Sequence, residues 1–258
     1  MCGLAGAYHF KKGDLHESYF VHCMDTMHRR GPDDRHLWQN EQNYIAAFTR
    51  LSIRDTSMHG RQPMFSASGK FCLSFNGELY NTEAFKKVLL PYDIAYQSTS
   101  DTELFLYALI HLGLEKTLAL ADGIFAFAFY DVEKNALWLA RDRMGVKPLY
   151  TGVSMDGIVY SSQYDHVINH PFFSGNSYDE KIIASYLYLG YMPEGDGIIQ
   201  QAAMLPHGHY MIVSNDKSSM HAYYDYPSSS VEVKENGLEK IISNSVQSQM
   251  VSDVPVGT

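Results

Sequence analysis

The sequence predicts an α+β fold, because strands and helices follow one another without the regular strand–helix–strand alternation of a parallel sheet. The segment KFCLSF alternates, with Phe71, Leu73 and Phe75 on one face of a strand and Cys72 and Ser74 on the other. The segment GIFAFAFYD alternates in the same way, and capped segments of helical periodicity stand between the strands. These observations favour antiparallel pairing with separate helices.

Taken in order, the chain begins with GLAGAYHF, which is small and apolar and predicts a tightly packed strand. In NTEAFKKVLLP, Asn81 caps a helix that Pro91 ends. In STSDTELFLYALIHLG, Ser100 and Glu103 predict a capping box, and Gly113 ends the helix.

The segment GIFAFAFYD and the returning segment ALWLARD predict a β-hairpin joined by the polar turn VEKN. Phe125, Phe127 and Phe129 share one face of the first strand, opposite Ala126 and Ala128. A face of alanines lets another layer approach closely, whereas phenylalanines fill a thick interior. We therefore expect this hairpin to lie between two layers.

The C-terminal region reads as the beginning of a second unit. SSSVEVKENG is polar and without a pattern, which is typical of a linker. LEKIISNSVQSQM then predicts a helix with an apolar stripe of Leu238, Ile241, Ile242 and Val246, and SDVPVGT an extended segment. We expect the continuation of this unit to be missing, and the stripe to be uncovered or bound by a neighbour.

Composition narrows the possible partners. The 258 residues carry a formal net charge of −9, which argues against nucleic acid or an anionic membrane as the main partner. No apolar run approaches the ~20 residues needed to cross a bilayer, and no export signal is visible, so we expect a cytoplasmic protein. The three cysteines are scattered along the chain, which fits a reducing compartment. No Cys or His spacing typical of a metal site occurs. His207 and His209 in HGH are more typical of a loop than of a zinc site.

Cys2, in MCGLAG, is the first candidate for chemistry. If Met1 is removed, one residue carries both a thiol and a free α-amine. The unperturbed pKa values are ~8.5 and ~7.7–8.0, so the amine can take the thiol proton near neutral pH. The alternative is that Cys2 is an incidental small residue in a buried strand.

Three further motifs fit a reaction on an amino-acid substrate. Asn76-Gly77 in NGELYN is either a hairpin turn or, before a capped helix, a pair of donors for a developing oxyanion. In TRLSIRD, Arg50 and Arg54 flank an apolar strand segment, and TSDTE puts Asp101 in the first turn of a helix. An arginine and an acid suit the carboxylate and ammonium of an α-amino acid. The alternatives are a solvated cation and an acid that complements the helix dipole.

Eight motifs follow one another along nearly the whole chain: MCGLAG, RRGPDD, RLSIRD, QPM, FNGELYN, SDTE, DGIFAFAFYD and ARDRMGVKPLY. In order and approximate spacing they resemble the glutaminase domain of class II glutamine amidotransferases, the N-terminal-nucleophile group. LYLGYMPEG and LPHGHY look like the asparagine synthetase branch in particular. The resemblance implies a four-layer αββα sandwich of two antiparallel sheets flanked by helices.

The resemblance also implies a role for each matching residue. Cys2 would attack the side-chain amide of glutamine, and Asn76 with the Gly77 N–H would form the oxyanion hole. Arg50 would hold the substrate carboxylate, and Glu78 and Asp101 its ammonium. The full set implied to bind substrate is Arg50, Leu51, Ser52, Ile53, Arg54, Asn76, Gly77, Glu78 and Asp101.

The resemblance implies that glutamine gives glutamate and ammonia for an asparagine synthetase-like amidation. Residues 2–215 would form the glutaminase domain, and 216–258 a linker and the first helix and strand of a truncated synthetase domain. ATP and magnesium would belong to that absent domain, with no cofactor in this chain. The partners would be L-glutamine, a synthetase domain or separate chain, and a second copy in a possible homodimer.

Two open alternatives are an acceptor other than aspartate, such as a sugar acid or secondary metabolite, and an inactive glutamine-binding remnant. Two residues depart from the family pattern, Arg29 before the R-G-P-D run and Phe48 where a histidine is usual. We expect both to lie near the pocket and to alter either its polarity or its coupling to a partner.

Overall fold

Two antiparallel sheets dominate the computed structural model, which describes residues 1–40, 42–193, 195–226 and 237–255. The strands are β1 (Gly3–His9), β2 (Asp34–Gln39), β3 (Tyr44–Arg50), β4 (Met64–Phe65), β5 (Phe71–Leu79), β6 (Gly123–Asp131), β7 (Ala136–Arg141), β8 (Tyr150–Val153), β9 (Gly157–Ser161), β10 (Ala202–Met204), β11 (His209–Ser214) and β12 (Lys217–Ala222). The helices are α1 (Glu17–Thr26), α2 (Thr82–Leu89), α3 (Asp101–Leu112), α4 (Leu114–Leu120), α5 (Asp165–Ile168), α6 (Glu180–Leu189) and α7 (Leu238–Ser248). Short 3-10 helices cover Met58–Gly60, Leu90–Tyr92 and Pro171–Phe173.

The strand order is β10-β8-β9-β1-β3-β2 in the first sheet and β12-β11-β7-β6-β5-β4 in the second. Every neighbouring pair is antiparallel. The predicted hairpin is confirmed, with Asp131 of β6 paired to Ala136 of β7. The N-terminal strand is also confirmed; as β1, it lies in the middle of the first sheet.

The two faces of β6 pack as their side chains predict. Ala126 and Ala128 face the first sheet, in a core between the sheets that includes Leu4, Tyr44 and Tyr160. The phenylalanines of β6 face the other way, into a core formed with α2, α3 and α4. Small residues on the inner face let the sheets approach closely, whereas the large rings fill the space beneath the helices.

A third core covers the outer face of the first sheet. Ala5 and Ala7 of β1 pack there against Phe20 and Met24 of α1, with Val167 of α5. The layers are therefore helices, sheet, sheet and helices. This arrangement confirms the predicted α+β class and the four-layer αββα sandwich.

Helices α2 and α3 begin where the sequence predicts, but the predicted side-chain capping bonds differ in the structure. Ser100 Oγ accepts from Thr102 N, but the Glu103 carboxylate accepts from Gln97 N and Ser98 N, so the predicted capping box is wrong. The loop before α3 folds back and offers its own N–H groups to Glu103. Asn81 occupies the N-cap position of α2 without capping it, and its amide bonds Leu120 O and Asp122 N.

The remaining helix ends follow the sequence. α2 stops at Leu89, and Pro91 lies in the 3-10 turn that follows; Gly113, at φ 82°, ends α3. In the regions that the structure describes, no helix is long and apolar enough to cross a membrane.

The C-terminal region is described from residue 237, so residues 228–236 of the predicted linker lie outside the described residues. The predicted helix is confirmed as α7. Its apolar stripe is uncovered, since Leu238, Ile241, Ile242 and Val246 are each more than half exposed. The division at residue 215 stays a prediction; β12 continues the second sheet to Ala222.

Candidate active site

A cavity opens where the start of β1 meets the ends of β3 and β5. Its lining residues are Met1, Cys2, Arg50, Leu51, Ile53, Arg54, Gly60, Gln62, Phe75, Asn76, Gly77, Glu78, Ser100, Asp101, Thr102 and Lys147. Every sequence-predicted site residue lines it except Ser52, whose N–H donates to Asp33 Oδ2 at 2.7 Å. Residues distant in the sequence thus meet at one place.

Cys2 stands directly before β1, and its thiol is held against the Leu51 peptide. The Sγ donates to Leu51 O at 3.6 Å and accepts from Leu51 N at 3.4 Å. Arg30 Nε donates to Cys2 O at 3.1 Å, which fixes the backbone. Burial raises the pKa of the Cys2 thiol, while the Leu51 N–H, the neighbouring amine and Lys147 lower it. Burial also lowers the pKa of the terminal amine, here carried by Met1.

Asn76 and Gly77 lie inside β5, two residues before its end, and pair with Ala126 and Phe125 of β6. The hairpin-turn alternative is therefore wrong, because the strand runs straight through both residues. Asn76 is 1% exposed, and its Nδ2 has no hydrogen-bond partner among the described residues. Leaving a buried donor unpaired costs about 1–3 kcal/mol. The side chain lines the cavity, so a ligand oxygen there can satisfy it.

Gly77 is also required by packing. A Cβ at this position would lie 2.5 Å from Ile124 O and 2.6 Å from Phe125 Cβ. Contacts this short force the backbone to move. The glycine therefore keeps β5 close to β6 beside the cavity.

Arg50 is the last residue of β3 and is 5% exposed. Its Nη1 donates to Ser57 O at 2.9 Å, and its Nη2 to Arg54 O at 3.3 Å and to Asp55 O. Gly60 packs against it so closely that an added Cβ would overlap the guanidinium. The guanidinium thus organises the loop of residues 51–57, and the side chain reaches the cavity.

The predicted strand beyond Arg50 is wrong, because β3 ends there and Leu51–Ile53 form a loop. Asp33 explains the change of direction: its N–H donates to Arg50 O at 3.0 Å, and its carboxylate accepts from Ser52 N. These bonds turn the chain away from the sheet. Leu51 and Ile53 line the cavity from this loop, where the Leu51 peptide bonds Cys2 Sγ.

Arg54 holds two acids at once. Its Nη1 lies 3.0 Å from Asp101 Oδ2, and its Nε lies 3.9 Å from Glu78 Oε2. Asp101 is in the first turn of α3, as predicted, and also accepts from Leu79 N at 2.8 Å. The group has two carboxylates and one guanidinium.

The pKa values of the two acids reflect this imbalance. Burial and the Asp101 charge raise the pKa of Glu78 to about 7, against the opposing effect of Arg54. Burial likewise raises the pKa of Asp101, while Arg54 and the Leu79 N–H oppose the shift. Lys147 also lowers the pKa of Glu78. Within the group of Arg54, Glu78 and Asp101, the carboxylates still outnumber the guanidinium by one, and the ammonium of an amino acid can pair with the additional carboxylate.

The cavity lining includes two residues that were not predicted from the sequence. Gln62, from the QPM motif, accepts from Phe75 N at 2.6 Å and donates to Phe75 O at 3.1 Å, which supports β5 just before Asn76. Lys147, from ARDRMGVKPLY, is 8% exposed, and burial lowers its pKa. The motifs contained both residues, but the contacts depend on the fold.

The two departures from the family pattern lie outside the cavity lining. Arg29 is exposed and adjoins Arg30, which bonds Cys2 O, and Phe48 is fully buried in the core between the sheets, two residues before Arg50. Their effect on the polarity of the cavity stays a prediction.

Across the described ranges, no group of three or more His, Cys, Asp and Glu side chains could hold a metal ion. His209 begins β11, and its Nδ1 lies 2.7 Å from His207 O.

Comparison with known proteins identifies the family. The chain is 32% identical over 266 residues to a Bacillus subtilis protein named asparagine synthetase [glutamine-hydrolyzing] 3, covering 100% of this chain and 43% of that protein. It is 28% identical to amidase chry2 of Gibberella zeae, covering 90% of this chain and 35% of that protein. The chain thus spans less than half the length of these relatives.

A solved structure, a glutamine phosphoribosylpyrophosphate amidotransferase from Bacillus subtilis complexed with ADP and GMP, shares the fold. The TM-score is 0.58 at 17% identity, covering 86% of this chain and 49% of that one. The family model described as a glutamine amidotransferase domain matches residues 1–224. The chain therefore belongs to the class II glutamine amidotransferase family.

Proposed function

We propose that the chain hydrolyses the side-chain amide of L-glutamine through a thioester on Cys2 and supplies ammonia to an asparagine synthetase-like amidation. The observation that carries the proposal is the unpartnered amide donor of Asn76 in the same cavity as the Cys2 thiol. A buried donor without a protein partner is favourable where an oxyanion will develop. Family membership gives the reaction class, and the cavity supplies groups for each step.

The reaction requires removal of Met1, so that Cys2 carries the free amine. The amine takes the thiol proton, and Sγ attacks the amide carbon of glutamine. Asn76 Nδ2 and the Gly77 N–H stabilise the oxyanion. The carbon–nitrogen bond then breaks, ammonia leaves with the proton from the amine, and water cleaves the thioester to glutamate and the free thiol.

Charge explains how glutamine is held. The substrate carboxylate binds Arg50, with the backbone of residues 51–53 alongside. The substrate ammonium binds Glu78 and Asp101, where it pairs with the additional carboxylate. Both contacts lie at the far end of the substrate from its reacting amide, so they orient it toward Cys2.

The relatives named above extend well beyond the aligned region. We propose that ATP and magnesium act in a synthetase domain or a separate synthetase chain that receives the ammonia. The name of the Gibberella zeae relative, an amidase, favours a second candidate in which the same glutaminase serves a non-aspartate acceptor.

The test is glutamate release from glutamine by protein whose intact mass proves loss of Met1. Cys2→Ala should abolish release. Cys23→Ala is the matched control, because Cys23 is a free thiol buried in α1 and outside the cavity lining. Persistent release by the Cys2→Ala protein refutes the proposal. Calorimetric glutamine binding without turnover by the trimmed wild type would instead favour an inactive binding module.

A further inference from the structure

The C-terminal segment that follows α7 is fastened to the loop that walls the cavity. Asp253 N donates to Ile53 O at 3.0 Å, and Asp55 N donates to Asp253 Oδ2 at 2.7 Å. One residue thus makes two hydrogen bonds to residues about 200 positions earlier in the chain. We call this pair of bonds the Asp253 clasp.

The clasp acts on a loop whose shape matters for the cavity. Leu51, Ile53 and Arg54 line the cavity, and the loop carbonyls at Arg54 and Asp55 hold the Arg50 guanidinium. A shift of the loop therefore moves both the backbone facing the substrate and the arginine beneath it.

Asp55 is the residue in this loop that most needs external support. Its φ of 49° is in the left-handed region, which glycine adopts readily and aspartate adopts when its side chain hydrogen-bonds locally. Its carboxylate accepts from Ser57 N at 3.1 Å and Thr99 N at 2.9 Å, and Asp253 accepts from its N–H. Burial opposes ionisation of Asp55, but the bonds from Ser57 and Thr99 outweigh it and lower its pKa to about 2. Asp55 therefore joins the loop, the segment before α3 and the C-terminal segment.

We propose that Asp253 is a positioning residue, which holds the glutamine-binding loop in its binding conformation. This inference rests on the proposed glutaminase function. Asp253 itself is exposed and does not line the cavity, so it acts through Asp55 and Ile53. A net hydrogen bond of this kind corresponds to roughly a 2- to 10-fold change in an equilibrium constant.

The test compares Asp253→Ala, Asp253→Asn and Glu239→Ala in the full chain. Asparagine keeps a side-chain oxygen that can accept from Asp55 N, whereas alanine does not. Glu239 is an exposed acid on α7 and serves as the matched control. We expect Asp253→Ala to raise KM for glutamine roughly 2- to 10-fold with kcat within about twofold of wild type. Asp253→Asn and Glu239→Ala should retain the wild-type KM.

A second measurement separates the clasp from the chemistry. Hydrogen exchange of the peptide containing residues 51–57 should be faster in Asp253→Ala than in wild type by a similar factor, even if neither protein turns over glutamine. A wild-type KM in Asp253→Ala, an Asp253→Asn protein as impaired as Asp253→Ala, or unchanged exchange in Asp253→Ala overturns the inference. Absent turnover in wild type with faster exchange in Asp253→Ala supports the clasp and contradicts only the glutaminase proposal.

Discussion

Replacing Glu78 by glutamine should weaken glutamine binding while stabilising the free protein. The change removes one of the two carboxylates around Arg54 but keeps the shape of the side chain. A hydrogen bond to a charged group contributes about 1.5–3 kcal/mol, so the loss of the ammonium contact should raise KM by roughly 10- to 150-fold. The expected effect on kcat is smaller, because in the proposed binding mode Glu78 contacts the end of the substrate remote from the scissile amide.

The pH dependence follows from the sign of the Glu78 shift. Its pKa is raised from 4.5 to about 7, because burial and Asp101 disfavour the ionised form. The substrate ammonium requires the ionised form, so wild-type KM should rise as pH falls below about 7, and KM of Glu78→Gln should not show this rise.

The Glu78→Gln substitution should increase the stability of the free protein, although it weakens glutamine binding. Above the folded-state pKa, the buried charge destabilises the free protein by an amount that the shift limits to about 3 kcal/mol. Glu78→Gln should therefore unfold at a higher temperature than wild type at pH 8, and this advantage should vanish as pH falls toward 4.5.

The assays are glutamate release on both sides of the Glu78 pKa of about 7 and thermal unfolding from its ordinary pKa of 4.5 up to about pH 8. Glu83→Gln is the matched control, since Glu83 is an exposed acid on α2 that pairs with Lys86. An unchanged KM in Glu78→Gln at pH 8 would refute the role of Glu78 in holding the ammonium. A lower unfolding temperature at pH 8 would refute the charge imbalance.

Three further outcomes are expected. Asn76→Ala should lower kcat by ~10²–10³ with a smaller change in KM, and a loss under threefold at saturating glutamine would contradict the oxyanion role. Gly77→Ala should destabilise the fold by about 1–3 kcal/mol in denaturant unfolding, because its Cβ meets Ile124 O at 2.5 Å, whereas Gly13→Ala, with open space around it, should not. Burial lowers the pKa of His9 to about 4 and of His170 to about 3. The unfolded state therefore binds protons at a higher pH than the folded state, and the free energy of unfolding should fall as pH drops from about 6.5 toward 4. His170→Phe should make this fall with pH less steep, and an unchanged pH dependence would contradict the burial argument.

Alternation along β5 and β6 was enough to predict the sheet cores, because period-two patterns report directly which face is buried. Cys2 and Asn76 were predicted from chemistry and motif order, and the fold brings both to one cavity. Local patterns could not give the bonds of Glu103, which depend on a loop folding back. Nor could they give the bond from Asp55 N to Asp253 Oδ2, 198 positions apart, because a backbone N–H can donate to any acceptor that the fold brings near.

The donors of Arg50 explain why the cavity can be shaped before substrate arrives. A guanidinium has five N–H groups. The bonds to Ser57 O, Arg54 O and Asp55 O use three of them, through Nη1 and Nη2. This leaves N–H groups at Nε and Nη1 for a carboxylate, on a side chain whose rotamer the loop has already fixed. Ordering a long side chain on binding costs about 0.5–1.5 kcal/mol. Because the loop already holds this arginine in one conformation, binding of the substrate carboxylate should avoid most of that cost. The same bonds make the arginine depend on the loop, so a change that loosens Asp55 should weaken carboxylate binding without touching the thiol.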